Sequence, residues 1–239
     1  MTYRQELTVY TRCAEAIEGD ITSVPIHDLA KDPERSLAAL VRTEPIQERS
    51  AARVDALLDA AAAVVDEIGF DRLTTAMVAE RADASIGTVY RYFPDRIALL
   101  QGLRERAIGR FRVAVVQRIE EVHPETWLEA VECSIDAVAT MYRTEPGFRI
   151  IRFADDERGN DATGEFSGET VPLSHGLAEV LSGEFGLPAG DDLVFRVAIA
   201  VEIGDALVGR AFVSNPAGDE RYIAEARAVI SAYLGRYYS

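Results

Sequence analysis

From Ser50 to Ile68, apolar residues recur at three- and four-residue steps: Val54, Leu57, Leu58, Ala61, Val64, Val65 and Ile68. That spacing lays one apolar stripe along a helix. Gly69 follows and ends it, because glycine tolerates the left-handed backbone of a helix terminus. Thr74 is placed to cap a second, short helix running to about Ala82, with Met77, Val78 and Ala82 inward. Asp83 and Ala84 turn the chain. Ser85 then caps a third short helix, Ile86 to Tyr92. Val89 and Phe93 lack polar groups and are assigned to the core. Pro94 closes this helix, and Asp95 caps a long one carrying Ile97, Leu99, Leu100, Leu103 and Ile108.

The same period continues to the end of the chain. A helix is predicted from about Pro124 to Thr144, carrying Trp127, Val131, Ile135, Val138 and Met141. Asp155 to Gly168 is rich in glycine and aspartate and reads as a mobile loop. Two shorter helices follow, then two long ones, Asp191 to Ser214 and Asp219 to Tyr237. No strand pair and no internal repeat emerges, so the chain is all-α. Residues 1–44 form a segment of their own. Thr2 to Glu18 can form a short amphipathic helix, and a second short helix fits Pro33 to Val41, with Pro25, Pro33 and Pro45 as punctuation. This segment is either a loosely docked arm or one that clasps a second copy or reaches DNA.

Composition changes the picture in one respect. The 239 residues are 48% apolar, which suits a soluble globular protein of one large or two modest domains, but the formal net charge is -15. Acidity opposes nucleic acid, since non-specific affinity comes from lysine and arginine neutralising phosphates. Net charge is a global quantity, however, and a local positive face can exist on an acidic body. Cys13 and Cys133 lie far apart without metal-type spacing and are assigned as reduced thiols. The longest apolar run, Ala60 to Val65, is far too short to span a bilayer. The N-terminus lacks a secretory pattern, so a cytoplasmic protein is expected.

Two short helices joined by a tight turn and braced by a long one make a helix-turn-helix unit, whose second helix enters the major groove. Its exposed groups suit that role. Ser85 and Thr88 can meet base edges or phosphates, and Gly87 allows close approach. Tyr90 and Tyr92 present phenols, and Arg91 a guanidinium fork for guanine or phosphate. Arg96 begins the next helix, where backbone N–H groups already favour an anion. Arg42, Arg49 and Arg53, near the end of the N-terminal segment, are its minor-groove or phosphate candidates. If Arg49, Arg53, Arg91 and Arg96 gather on one side, the local field attracts DNA despite the acidic body.

The stretch from about Val54 to Leu103 resembles the DNA-binding domain of the TetR family of transcriptional regulators. The matching residues are Ala60-Ala61, Gly69-Phe70, Thr74, Val78-Ala79, Ala82, Ser85, Gly87-Thr88-Val89-Tyr90-Arg91-Tyr92-Phe93 and Ala98-Leu99-Leu100. The resemblance implies a dimer that binds a palindromic double-stranded DNA operator and leaves it when a small-molecule effector enters the C-terminal domain. It places DNA contacts at Thr74 or Thr75, Ser85, Thr88, Tyr90, Tyr92 and Arg96. Two positions depart from the family pattern. Asp83 stands where glycine is usual, so the turn relies on aspartate accepting an unusual backbone conformation. Ile86 stands where a polar or basic residue is common. It either touches a thymine methyl or simply reduces phosphate contacts.

The division expected is residues 1–44 as an extension, 45–100 as a three-helix DNA-binding domain, and 101–239 as a helical domain for ligand binding and dimerisation. In the last part, the final two helices carry apolar stripes that serve either as core or, as the resemblance implies, as the homodimer bundle. Trp127, Met141, Tyr142, Phe148, Phe153, Phe166, Leu177, Phe185 and Phe195 are candidates to line an internal cavity. Glu202 and Asp205 interrupt an apolar helix, and buried carboxylates need partners. They are either ion-paired to Arg196 or Arg210 or serve as a polar handle for a ligand. No metal site, cofactor or membrane association is assigned. An enzyme is not expected, since no nucleophile elbow, metal-spaced histidine pair or phosphate-cradling glycine loop is present. A helical adaptor that has lost DNA binding is the competing class.

Overall fold

A computed structural model describes residues 48–150 and 173–238. The readings for the 1–44 extension, the Asp155 to Gly168 loop, Phe153 and Phe166 lie outside the described residues. Among those described there are eight α-helices and no strand. They are α1 (Glu48–Ile68), α2 (Thr75–Arg81), α3 (Ile86–Tyr92), α4 (Arg96–Val122), α5 (Trp127–Thr144), α6 (Leu173–Phe185), α7 (Asp191–Ala211) and α8 (Glu220–Leu234). Short 3₁₀ turns occupy Phe70–Arg72 and Phe148–Ile150. One helix, α6, stands in the described part of the stretch where two short ones are predicted.

Local chemistry sets the starts of these helices. The hydroxyl of Thr74 accepts from the Met77 N–H, that of Ser85 from Thr88, and the Asp95 carboxylate from Ala98. Thr126 and Glu129 form a reciprocal capping box at the start of α5. Each such cap contributes about 1 kcal/mol. Gly69 leaves α1 at φ 81°, the positive-φ region in which glycine carries no Cβ penalty.

Burial divides into two clusters. One joins Val54, Leu57, Leu58, Ala61 and Val65 of α1 to Val78, Val89, Phe93, Leu99 and Leu103. The other joins Ile108, Phe111, Val115 and Ile119 to residues of α5, α6, α7 and α8. The α4 helix therefore belongs to both, its first turns in one core and the rest in the other. At 27 residues it is about 40 Å long.

Met77, assigned inward, faces out at 39% exposure, and Ile97 in the apolar set of α4 is 66% exposed. In the seven-residue α2, Thr75, Val78 and Ala79 take the inner face, and Met77 lies some 200° around from Thr75 at 100° per residue. In α4, Leu99 and Leu103 take the inner stripe and leave Ile97 opposite.

In the second cluster, α4, α5 and α8 are tied by one carboxylate. Asp136 of α5 receives Arg118 of α4 at 3.1 Å on one oxygen and Arg227 of α8 on the other. Burial raises the Asp136 carboxyl, but hydrogen bonds and charge from Arg227, then Arg118, outweigh it and hold the group below its ordinary range. A depressed carboxylate stabilises the fold fully above its unfolded pKa and loses that contribution as pH falls through the folded value. Asp136→Asn should therefore lower the unfolding free energy at pH 7 by about 1 kcal/mol. Urea unfolding along an acid series should show the deficit shrinking below about pH 4. An equal deficit at every pH would contradict the ion-pair account.

Candidate nucleic-acid interface and enclosed cavity

The turn between α2 and α3 is built on Asp83, whose φ of 47° is left-handed for a residue other than glycine. Aspartate is among the few side chains that accept this region. The Ala84 N–H donates to the Ala79 carbonyl at 2.9 Å, which closes the turn against α2. From there α3 buries Val89 and Tyr92, with Phe93 fully enclosed at its end. Its outward side carries Ser85, Ile86, Gly87, Tyr90 and Arg91, all exposed, with Thr88 half-buried beside them.

The expectation that Tyr92 presents its phenol to the groove needs correction. Its ring is buried, because Val89, Tyr92 and Phe93 fall on the inner face of so short a helix. It serves as a floor for Arg91, whose guanidinium carbon lies 5.8 Å from the ring centroid. Thr74 is exposed as the cap of α2, whereas Thr75 is buried. The Thr75 hydroxyl donates to the Tyr90 phenol at 3.2 Å, bracing α2 against α3 and fixing the direction of a side chain that is otherwise exposed. The Ser85 and Thr88 hydroxyls lie 2.9 Å apart in a mutual hydrogen bond.

Arg96 donates through Nη2 to the Phe70 carbonyl, so its guanidinium holds the 3₁₀ turn after α1. Arg81 pairs with Glu67 of α1 at 2.5 Å. Arg53 is half-buried on α1, and Arg49 lies in that helix's first turn, its side chain outside the described residues. Residues 70–96 hold four arginines against four acids. This segment is electrically neutral on a chain of net charge -15, which is positive only by comparison.

In the body, α4, α5, α6, α7 and α8 line a cavity of about 100 Å³. Its walls are aliphatic and aromatic, from residues such as Phe111, Ile135, Val138, Leu177, Ala200 and Val208, with Ser134, Tyr142 and Asp205 as polar groups. Of the candidates named from sequence, Tyr142, Leu177 and Asp205 line it. Trp127 instead packs edge-on against Tyr238. Met141 and Phe148 border a much smaller gap between α1 and the body. Phe195 is 54% exposed on the outer face of α7, and Glu202 is half-buried outside the lining. Arg196 pairs with Asp192 at 3.1 Å and lies 3.9 Å above the Tyr237 ring, while Arg210 lies over Tyr222. Sequence reasoning did not name Phe111, Ala200 or Val208 as cavity residues. Small and aliphatic side chains at helical spacing carry no signal that separates a cavity wall from a filled core.

One chain of contacts leads from this cavity to α1. The Tyr142 ring stacks on Phe212 at 4.8 Å and meets Phe148 edge-on at 5.1 Å. Phe148 follows Gly147, which has φ 73° and faces α1 so closely that an added Cβ would lie 3.0 Å from the Ala62 carbonyl oxygen. The Gly147 N–H donates to Asp66 at 3.4 Å. Beside it, Arg110 of α4 spans Glu145 at 2.7 Å and Asp59 of α1 at 3.7 Å, and Arg106 holds Asp59 at 2.7 Å. Phe195, Val213, Val229 and Tyr237 are exposed apolar side chains of the last two helices and their ends.

Comparison with known proteins agrees with this arrangement. Residues 57–103 match the family model for bacterial regulatory proteins of the tetR family, and residues 125–238 match a tetracyclin repressor-like C-terminal domain. The chain is 38% identical over 75 residues to the HTH-type transcriptional repressor KstR of Mycolicibacterium smegmatis, covering 31% of this chain and 35% of that protein. It is 34% identical over 76 residues to the HTH-type transcriptional regulator BetI of Klebsiella pneumoniae, covering 32% and 36%. The chain thus spans about a third of the length of the curated relatives it matches. A crystal structure of a TetR-family transcriptional regulator from Streptomyces coelicolor superposes with a TM-score of 0.66 at 37% identity, over 79% of this chain and 99% of that one.

Two glycines now make opposite predictions. At Gly87 a Cβ would meet only the Ser85 hydroxyl, at 3.7 Å, on ordinary helical backbone. Gly87→Ala should raise the unfolding free energy by roughly 0.5–1 kcal/mol. At Gly147 both the positive φ and the Ala62 backbone oppose a side chain, and Gly147→Ala should lower it by about 1–3 kcal/mol. Urea denaturation of both variants checks the pair. The same sign for both would refute this reading of the two sites.

Proposed function

Since the chain belongs to the TetR family of bacterial transcriptional regulators, we propose that it is a repressor that grips a palindromic operator as a homodimer and lets go when a small apolar effector enters the body cavity. Residues 45–100 form the DNA-binding domain in this reading, and 101–239 the ligand-binding and dimerisation domain. The observation that carries it is the outward face of α3. Five exposed residues, Ser85 to Gly87 with Tyr90 and Arg91, stand on a helix whose other side is sealed into the first core. A recognition helix needs that combination of a rigid back and a polar front. Arg49, Arg53 and Thr74 supply further contacts to the backbone. Arg96 contributes by fixing the turn that flanks them.

Dimerisation is supported by the exposed Phe195, Val213, Val229 and Tyr237 on the last two helices and their ends. A two-fold axis there repeats the recognition helix at one-turn spacing along DNA. Release is supported by the contact chain through Tyr142, Phe148 and Gly147, since anything that displaces Tyr142 in the cavity wall bears on α1. The cavity's composition selects the effector's class. Its few polar groups suit an apolar body with at most one or two polar points.

Electrical neutrality in the recognition segment shifts the source of affinity to a few placed groups. Binding is then modest and falls at least about tenfold between 50 and 200 mM salt. Duplexes selected from random-sequence DNA by the full-length protein provide the operator for gel-shift titration. Tyr90→Ala should weaken binding at least about tenfold, in line with the loss of one placed contact per half-site. Its circular dichroism should be unchanged. Failure to enrich any duplex, or equal binding by the variant, would overturn the proposal.

A further inference from the structure

Ile86 is the first residue of α3 and is 48% exposed, although the other aliphatic residue of that helix, Val89, is fully buried. A lone exposed apolar residue is ordinary on a protein surface and decides nothing by itself. Its surroundings do. The hydroxyls that flank it are already occupied with each other. Ser85 accepts from the Thr88 N–H at 3.1 Å and shares a hydrogen bond with the Thr88 hydroxyl at 2.9 Å. The Tyr90 phenol, one turn along the same face, accepts from the Thr75 hydroxyl. These bonds fix where the hydroxyls point while leaving each with further capacity for a base edge, and Ile86 adds the apolar contact that none of them can make.

The neighbouring Gly87 adds an independent observation. Its helical backbone and open surroundings give the fold no need for glycine there, and glycine costs a helix roughly 0.5–1 kcal/mol relative to alanine. What its bareness does provide is close approach of the helix backbone to whatever α3 faces. A short side chain such as isoleucine reaches the floor of a groove only with that closeness. In the major groove, the C5-methyl of thymine is the one apolar group among the base edges.

We infer that Ile86 is a specificity-determining residue that packs on a thymine methyl in each half-site, with Gly87 setting the depth at which it does so. The inference rests on the DNA-binding reading above and adds to it the base that is read. It also accounts for an aliphatic side chain on a face otherwise built of hydroxyl, phenol and guanidinium.

The test replaces each thymine of the selected duplex, in both half-sites, by deoxyuridine, which removes the methyl and leaves every hydrogen-bonding atom in place. Fluorescence anisotropy at fixed salt then compares the wild-type protein with Ile86→Ala and Ile86→Val. One symmetric thymine pair should weaken wild-type binding about fourfold per methyl lost. Ile86→Ala should bind the thymine and deoxyuridine duplexes equally at that position, and Ile86→Val should retain part of the preference. Wild-type indifference to every replacement would overturn the inference, as would undiminished discrimination by Ile86→Ala. If no duplex is enriched in the first place, the DNA-binding reading falls and the inference with it.

Discussion

The α4 helix is buried twice, and the rest of the molecule depends on that. Leu99 and Leu103 close the core that α1, α2 and α3 make around Val78, Val89 and Phe93. Ile108, Phe111, Val115 and Ile119 of the same helix wall the cavity or pack beside it. The seat of α3 and one wall of the cavity are therefore built on a single helix.

Beside this rigid link runs a second, softer one. Arg106 and Arg110 reach from α4 to Asp59, and Arg110 continues to Glu145. Below them Gly147 sits against Ala62 with no room for a side chain. Ion pairs at a partly exposed surface are individually weak. Their value here is orientation, because they hold α1 in register with the turn that carries Phe148. The tie through Asp136 does the same inside the body, fixing α4, α5 and α8 together so that the cavity keeps one shape.

Much of this was legible in the sequence, for reasons that differ by element. Thr74, Ser85 and Asp95 were identifiable as caps because capping is decided within four residues of chain, and the structure places each of them so. The stripe of α1 was equally clear, since 21 residues give the period many repeats. The facing of Met77 and Tyr92 was not. A seven-residue helix completes two turns, and which side is inward is then settled by neighbours distant in sequence. The cavity was the least legible part. Aromatic residues were named for their bulk, yet bulk fills space, and Trp127, Met141 and Phe148 are spent on packing elsewhere. A hollow is bordered by residues too small to close it, and the lining includes Ala130, Ala200 and Gly204.

The bare backbone at Gly147 has a consequence for modular reuse of such proteins. The three-helix head has a core of its own that ends at Leu103. Its contacts with the body are another matter. The seam passes through Asp59, Ala62 and Asp66 on the head and through Arg106, Arg110, Glu145 and Gly147 beyond it. A chimera joined within α4 inherits only half of that seam from each parent. The contacts between head and body survive such an exchange only if the two faces of the seam are moved as a matched set.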